Sequence, residues 1–229
     1  MIKAVLLDID NTILDFDAYV KEALEKGFSA FSIGTYTKSV YETFVNINNG
    51  LWRALEKGNL TMDELFSVRF NTVFSHLGIH ADGQAFEKYF AEYLSESAIP
   101  IEGADALTEY LGKKYILAAA SNGPYRQQAH RLQLANMDRH FSYLFISGNI
   151  GASKPSKAFF DHCLHALNEK IPIQPEEIIM IGDSPTSDIM GAQAAGMKSI
   201  YFDRNGQSLK EPLPTNYVVH TLNEIFSIL

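Results

Sequence analysis

Cysteine, tryptophan, basic charge and long apolar runs are what this chain has least of. One cysteine, Cys163, in 229 residues leaves no partner for an internal disulfide. It fits a reducing compartment, with the thiol expected half-buried on a helix. No apolar stretch approaches the roughly 20 residues of a membrane-spanning helix, so no membrane partner is expected. The opening MIKAVLLDID has neither the long apolar segment nor the small-residue cleavage site of a signal peptide, and a cytoplasmic location is the expectation. Lys and Arg number 19 against 27 Asp and Glu, a formal net charge of −8. That balance argues against a nucleic-acid polymer as partner. A small anion held by one local cationic site remains compatible with it. None of the seven histidines has a partner at metal-ligand spacing. Repeats and low-complexity tracts are absent, and nothing sets the oligomeric state.

What is present is an ordinary core-forming composition, 46% hydrophobic and 20% charged. Ala4-Val5-Leu6-Leu7 is apolar without alternation, as expected of a strand covered on both faces in a parallel sheet. From Phe16 to about Ala98 the pattern is helical. Thr61 and Glu64 form a capping box, followed by Met62, Leu65, Phe66, Phe70, Val73, Phe74 and Leu77 at spacings of three and four. Phe86, Tyr89, Phe90, Tyr93 and Leu94 repeat in the next helix, and Gly58-Asn59 and Gly78-Ile79 read as breaks. From Pro100 onward, strand signals at Tyr115–Ala120, Tyr143–Ile146, Ile178–Ile181, Ser199–Phe202 and Tyr217–Val219 mostly alternate with helical ones. Such alternation predicts βαβ units. The expected fold is α/β, a Rossmann-like parallel-sheet core from residues 1–15 and 100–229, interrupted by a helical insert over 16–99.

Ligands of open α/β sheets bind beyond the carboxyl ends of the strands. Those ends deliver Asp8 and Asp10, then Ser121-Asn122-Gly123, then a loop with Lys154, then Asp183 and Asp188. Crowded carboxylates require a cation, and hard oxygen donors suit Mg²⁺. Asp8 and Asp10 alternate on an extended chain, so both reach one ligand only if the backbone turns after Asp8. Taken singly, each feature has a plainer reading. Asp10-Asn11 makes a turn signal, Ser121 a helix cap, Lys154 a solvated lysine, and Asp183 or Asp188 a helix N-terminal acid.

Taken together, Asp8-Ile9-Asp10-Asn11-Thr12, Ser121, Lys154-Pro155 and Gly182-Asp183-Ser184-Pro185-Thr186-Ser187-Asp188 resemble the four ordered motifs of the haloacid dehalogenase-like hydrolase superfamily. The insert sits where that family places its C1-type cap. The run from Ser121-Asn122-Gly123 through Gly151 and Lys154-Pro155, with Leu51-Trp52 and Gly58, is similar to the branch holding the pyrimidine 5'-nucleotidases. The resemblance implies a Mg²⁺-dependent phosphatase of small phosphorylated metabolites, a nucleotide foremost. Asp8 is then the nucleophile, and Asp10 the acid and base. Ser121, Asn122 and Lys154 cradle the phosphoryl group. Asp8, the Asp10 carbonyl, Asp183 and Asp188 surround the metal. The cap is expected to cover the site, hinged near residues 15–16 and 99–100. Tyr41, Trp52, Arg53 and Arg69 stay open as residues facing it. Other readings are a sugar-phosphate or phosphoglycolate phosphatase, a phosphomutase on the same fold, or a non-catalytic interaction protein. A dehalogenase is disfavoured, because it has no use for the Asp10 carboxyl.

Overall fold

The computed structural model describes residues 1–206 and 213–229. The chain divides into two compact units, Met1–Asp15 with Ala98–Leu229, and Phe16–Ser97.

The Phe16–Ser97 unit contains α1 (Phe16–Ala30), α2 (Lys38–Glu56), α3 (Met62–Leu77) and α4 (Gly83–Ser95). Thr61 and Glu64 close the expected capping box, which satisfies free N–H groups at the start of α3. Gly78 ends α3 in the left-handed conformation, φ 67°, where glycine carries no Cβ penalty. The core is aromatic, with Tyr19, Phe28, Phe44, Phe70, Phe74, Phe86 and Phe90 all buried. The α3 face differs from its sequence pattern in one respect. Met62, Phe66 and Leu77 are only partly covered, whereas Arg69 is buried. Its Nε donates to Glu87 Oε2 at 2.9 Å and its Nη1 to Asn48 Oδ1 at 3.0 Å. The guanidinium lies 5.0 Å from the Phe90 ring centroid and 5.2 Å from that of Phe66. Arg69, one of the residues left open for a substrate, is thus spent inside its own unit. Trp52 packs edge-on to Phe66 at 6.4 Å.

The other unit is built on a parallel sheet. Among the described residues β1 (Ala4–Leu7), β2 (Ile116–Ser121), β3 (Tyr143–Ile146), β4 (Ile178–Gly182), β5 (Lys198–Phe202) and β6 (Tyr217–Val219) lie in the order β3-β2-β1-β4-β5-β6. This is the Rossmann-like order, with β1 at the centre, paired to Ile116 on one side and Ile178 on the other through Ala4. Alternate residues of β1 serve opposite cores. Val5 and Leu7 pack with Leu107 and Leu111 of α5 (Ala104–Lys114) and Leu132 of α6 (Tyr125–Leu134). After β3 come a short α7 (Ser147–Ile150) and then α8 (Lys157–Lys170). Ala4 and Leu6 pack with Phe159, Phe160, Cys163 and Leu167 of α8. Two covered faces explain the apolar run without alternation, and each fully buried large side chain contributes about 1.5–3 kcal/mol. Cys163 is fully buried rather than half-buried, and burial pushes its thiol pKa up. β2 begins one residue later than its sequence pattern, because the Tyr115 N–H closes α5 on Leu111 O.

Candidate active site

β1 hands over to the site at Asp8, whose N–H still donates to Ile181 O at 2.9 Å. The chain then turns. Ile9 O accepts from the N–H groups of Thr12, Ile13 and Leu14, at 3.3, 2.9 and 2.9 Å. Asn11 takes the left-handed conformation, φ 58°, which Asn tolerates better than most residues. This is the turn the spacing of Asp8 and Asp10 required.

Asp8 is buried and held from two sides. Thr12 Oγ1 donates to its Oδ2 at 3.1 Å, and Lys154 Nζ to its Oδ1 at 2.7 Å. Lys154 comes from the loop beyond β3 and is itself only 2% exposed. Its other bonds go to Asp188 Oδ1 and Ala120 O, both at 2.6 Å. An ammonium has three donors, so all three are engaged, and the reading of Lys154 as a solvated loop residue fails. Asn122 clamps this lysine at its backbone. Its Nδ2 donates to Lys154 O and its Oδ1 accepts from Lys154 N–H, each at 2.9 Å. The Asn122 side chain is therefore occupied with the lysine loop.

β4 brings the remaining acids. Asp183 follows its last residue, and Asp188 lies in a π-helical stretch, Pro185–Met190. Asp188 is fully buried and accepts the Ser184 N–H on Oδ2 at 3.0 Å. Its carboxylate fits against Gly182, where a Cβ would stand 2.1 Å from Oδ2. One carboxylate oxygen from each of Asp8, Asp183 and Asp188 falls within a group no wider than 4.8 Å. Loss of solvation raises the Asp8 pKa to about 7; Lys154 opposes this and Asp188 adds to it. Burial, with the charges of Asp8 and Asp188, holds Asp183 well above the usual carboxylate range. Clustered hard oxygens that resist ionising together fit a divalent cation of the Mg²⁺ type.

Asp10 and Ser121 meet a pair that the sequence did not single out. Arg131 Nη1 donates to Asp10 Oδ1 at 2.6 Å, and Gln128 Nε2 to Asp10 Oδ2 at 2.6 Å. Gln128 Nε2 also donates to Ser121 Oγ at 3.0 Å. Ser121 does not cap α6, whose N-cap position is Pro124. Gln128 and Arg131 look like surface residues of a polar helix, and only their burial in the fold reveals them.

Asp8, Asp10, Ser121, Lys154, Asp183 and Asp188 thus gather at one edge of the sheet, while Asn122 stands behind Lys154. A family model described as "haloacid dehalogenase-like hydrolase" matches residues 2–196. The HAD-hydrolase YfnB of Bacillus subtilis is 34% identical over 99% of this chain and 95% of its own. Its crystal structure, bound to magnesium, superposes with a TM-score of 0.90 and covers 100% of this chain and 98% of that one. The pyrimidine 5'-nucleotidase PynA of Streptococcus pneumoniae is 29% identical over 99% of this chain and 94% of its own. The L-2-haloacid dehalogenase of Xanthobacter autotrophicus, 16% identical with a TM-score of 0.77 over 100% of this chain and 98% of its own, shares the fold. With the motifs at one sheet edge and the match spanning most of the chain, the protein belongs to the haloacid dehalogenase-like hydrolases.

Proposed function

We propose that the chain is a Mg²⁺-dependent phosphatase acting on a pyrimidine nucleoside 5'-monophosphate or a close relative of it. The observation that carries the chemistry is the pair of acids at the end of β1. Asp8 is fixed by Thr12 and Lys154, and Asp10 is turned by the Asn11 bend onto a separate set of partners. An Asp8 carboxylate oxygen attacks phosphorus as the P–O ester bond breaks, and the departing oxygen takes a proton from Asp10. Water then attacks the aspartyl-phosphate and gives its proton to Asp10, releasing inorganic phosphate and restoring Asp8. Ser121 Oγ accepts from Gln128, which leaves its own proton to donate to a phosphoryl oxygen. Lys154 gives the same region positive charge. Asp8, Asp183 and Asp188, with the Asp10 carbonyl, are the residues that would hold Mg²⁺. When bound, it lowers the repulsion between Asp8 and the anionic phosphoryl group.

The substrate reading is supported by two full-length relatives named as pyrimidine 5'-nucleotidases, PynA and the Escherichia coli YjjG. Side-by-side kinetics test it. Uridine and thymidine monophosphates should exceed adenosine and guanosine monophosphates, hexose phosphates and phosphoglycolate in kcat/KM by about tenfold, a difference of about 1.4 kcal/mol. A win for phosphoglycolate or a hexose phosphate removes the nucleotidase and leaves the phosphatase.

A further inference from the structure

Arg131 is among the largest fully buried side chains in the chain, and neither the metal set nor the nucleophile uses it. It lies on α6 one turn from Gln128, so the two side chains share a helix face. With Asp10 they form a closed ring. Arg131 Nη1 donates to Asp10 Oδ1 at 2.6 Å and to Gln128 Oε1 at 2.8 Å. Gln128 Nε2 completes the ring on Asp10 Oδ2 at 2.6 Å and reaches outward to Ser121 Oγ at 3.0 Å. The arginine donor facing Oε1 fixes which end of the Gln128 amide meets Asp10.

We infer that Gln128 and Arg131 are positioning residues, which hold the Asp10 carboxyl by both oxygens at the angle its proton transfer needs and lock it to Ser121. Two of the roughly four acceptor directions of a carboxylate are used this way. The Asp10 side chain keeps 27% of its exposure, so this pair does not close the carboxyl off. Charge-assisted bonds of this length resist rotation, and a small misplacement of a reacting group is costly. This inference rests on the phosphatase reading and adds to it two residues that no motif contains.

The test compares two esters that differ in how readily the alcohol leaves, p-nitrophenyl phosphate and phenyl phosphate. kcat/KM reports only steps up to the first irreversible one, so the later hydrolysis of the aspartyl-phosphate does not enter. Gln128→Met and Arg131→Met should lose about tenfold more kcat/KM on phenyl phosphate than on p-nitrophenyl phosphate, within the about 10²–10⁴-fold that a placed acid contributes. Arg131→Lys, which keeps one donor, should fall between wild type and Arg131→Met. In an Asp10→Asn background, the extra loss of Gln128→Met on phenyl phosphate should vanish, leaving only the equal loss on both esters that comes through Ser121. Thermal melts identify any variant that does not fold; Gln128→Met and Arg131→Lys carry the result if Arg131→Met fails. Equal losses of the single variants on the two esters, a gain in activity, or an undiminished extra loss beside Asp10→Asn overturns the inference. A wild type that hydrolyses neither ester with Mg²⁺ overturns the phosphatase reading itself, and this inference with it.

Discussion

Asn122 bonds both backbone polar groups of Lys154, N–H and C=O, at 2.9 Å each. Its side chain does for the lysine loop what a strand partner does for a strand. The ammonium at the far end of that lysine bridges Asp8 and Asp188. Asn122→Ala should therefore act through Lys154. Leaving these two backbone groups without their partner should cost about 1–3 kcal/mol in a denaturant melt, together with a drop in kcat. Unchanged kcat in a folded Asn122→Ala protein would show that the loop is held by other means.

The two acids of the β1 turn should separate in their variants. Asp8→Asn removes the attacking oxygen, so turnover should fall by orders of magnitude while the fold persists. Activity within about tenfold of wild type, equivalent to ~1.4 kcal/mol of barrier, would sink the assignment. Asp10→Asn should keep its Mg²⁺-dependent rise in melting temperature, since the proposed metal contact there is the backbone carbonyl. It should lose more on a poor leaving group than on p-nitrophenyl phosphate.

Metal and pH should act together on stability. In the folded, metal-free protein Asp8 holds its proton up to about pH 7, whereas its ordinary value is 3.8. The folded state therefore binds the extra proton, and Asp8 makes stability fall as pH rises from about 4 through about 7. Asp183 shifts in the same direction. A cation held by the ionised acids offsets this, so the Mg²⁺-induced rise in melting temperature should be small at pH 5 and large at pH 8. Melts with EDTA or excess Mg²⁺ across that range are the measurement; a pH-independent shift would count against metal binding at these acids.

Arg69 and Glu87 give a prediction for the helical unit alone. Arg69→Met leaves the Glu87 carboxylate buried without its partner, and should destabilise by about 3–5 kcal/mol. Replacing both, as Arg69→Met with Glu87→Leu, should recover part of that loss, because an apolar pair avoids the desolvation of two charges while Asn48 Oδ1 still loses its Arg69 donor. Denaturant melts of the single and double variants would show it; additive losses would mean the pair is not coupled.

The parts of this protein legible in its sequence are those whose cause is local. β1 and β4 announce themselves because burial on both faces leaves no polar residue in the run. The Asp8 and Asp10 pair reads as a site because acids follow directly on such a run. Thr61 with Glu64 reads as a helix start because both members of the box lie within one turn. What stayed hidden depends on distant chain. Arg131 and Asp10 are 121 positions apart, and nothing near Arg131 says that a carboxylate waits for it. Arg69 breaks the apolar face of α3 for the same reason, its partners lying on α2 and α4. Asn122 lies in a loop expected at the phosphoryl group, and nothing beside it says that its side chain pairs the backbone of Lys154, 32 positions on.

The central place of β1 also orders events in time. Its four residues are made before their hydrogen-bonding neighbours, Ile116–Ala119 and Ile178–Ile181. Until the ribosome has passed β4, this fully buried strand has at most one edge covered. The Phe16–Ser97 helices have a separate core and need nothing beyond Leu94 to assemble it. During synthesis they can close while β1 still waits, as domains commonly fold in units. The pairing of β1 is the long-range, slow contact of this topology. A stall in translation between β2 and β4 would leave an exposed Ala4–Leu7 segment attached to a finished helical bundle, a form of the nascent chain open to capture by chaperones or to aggregation.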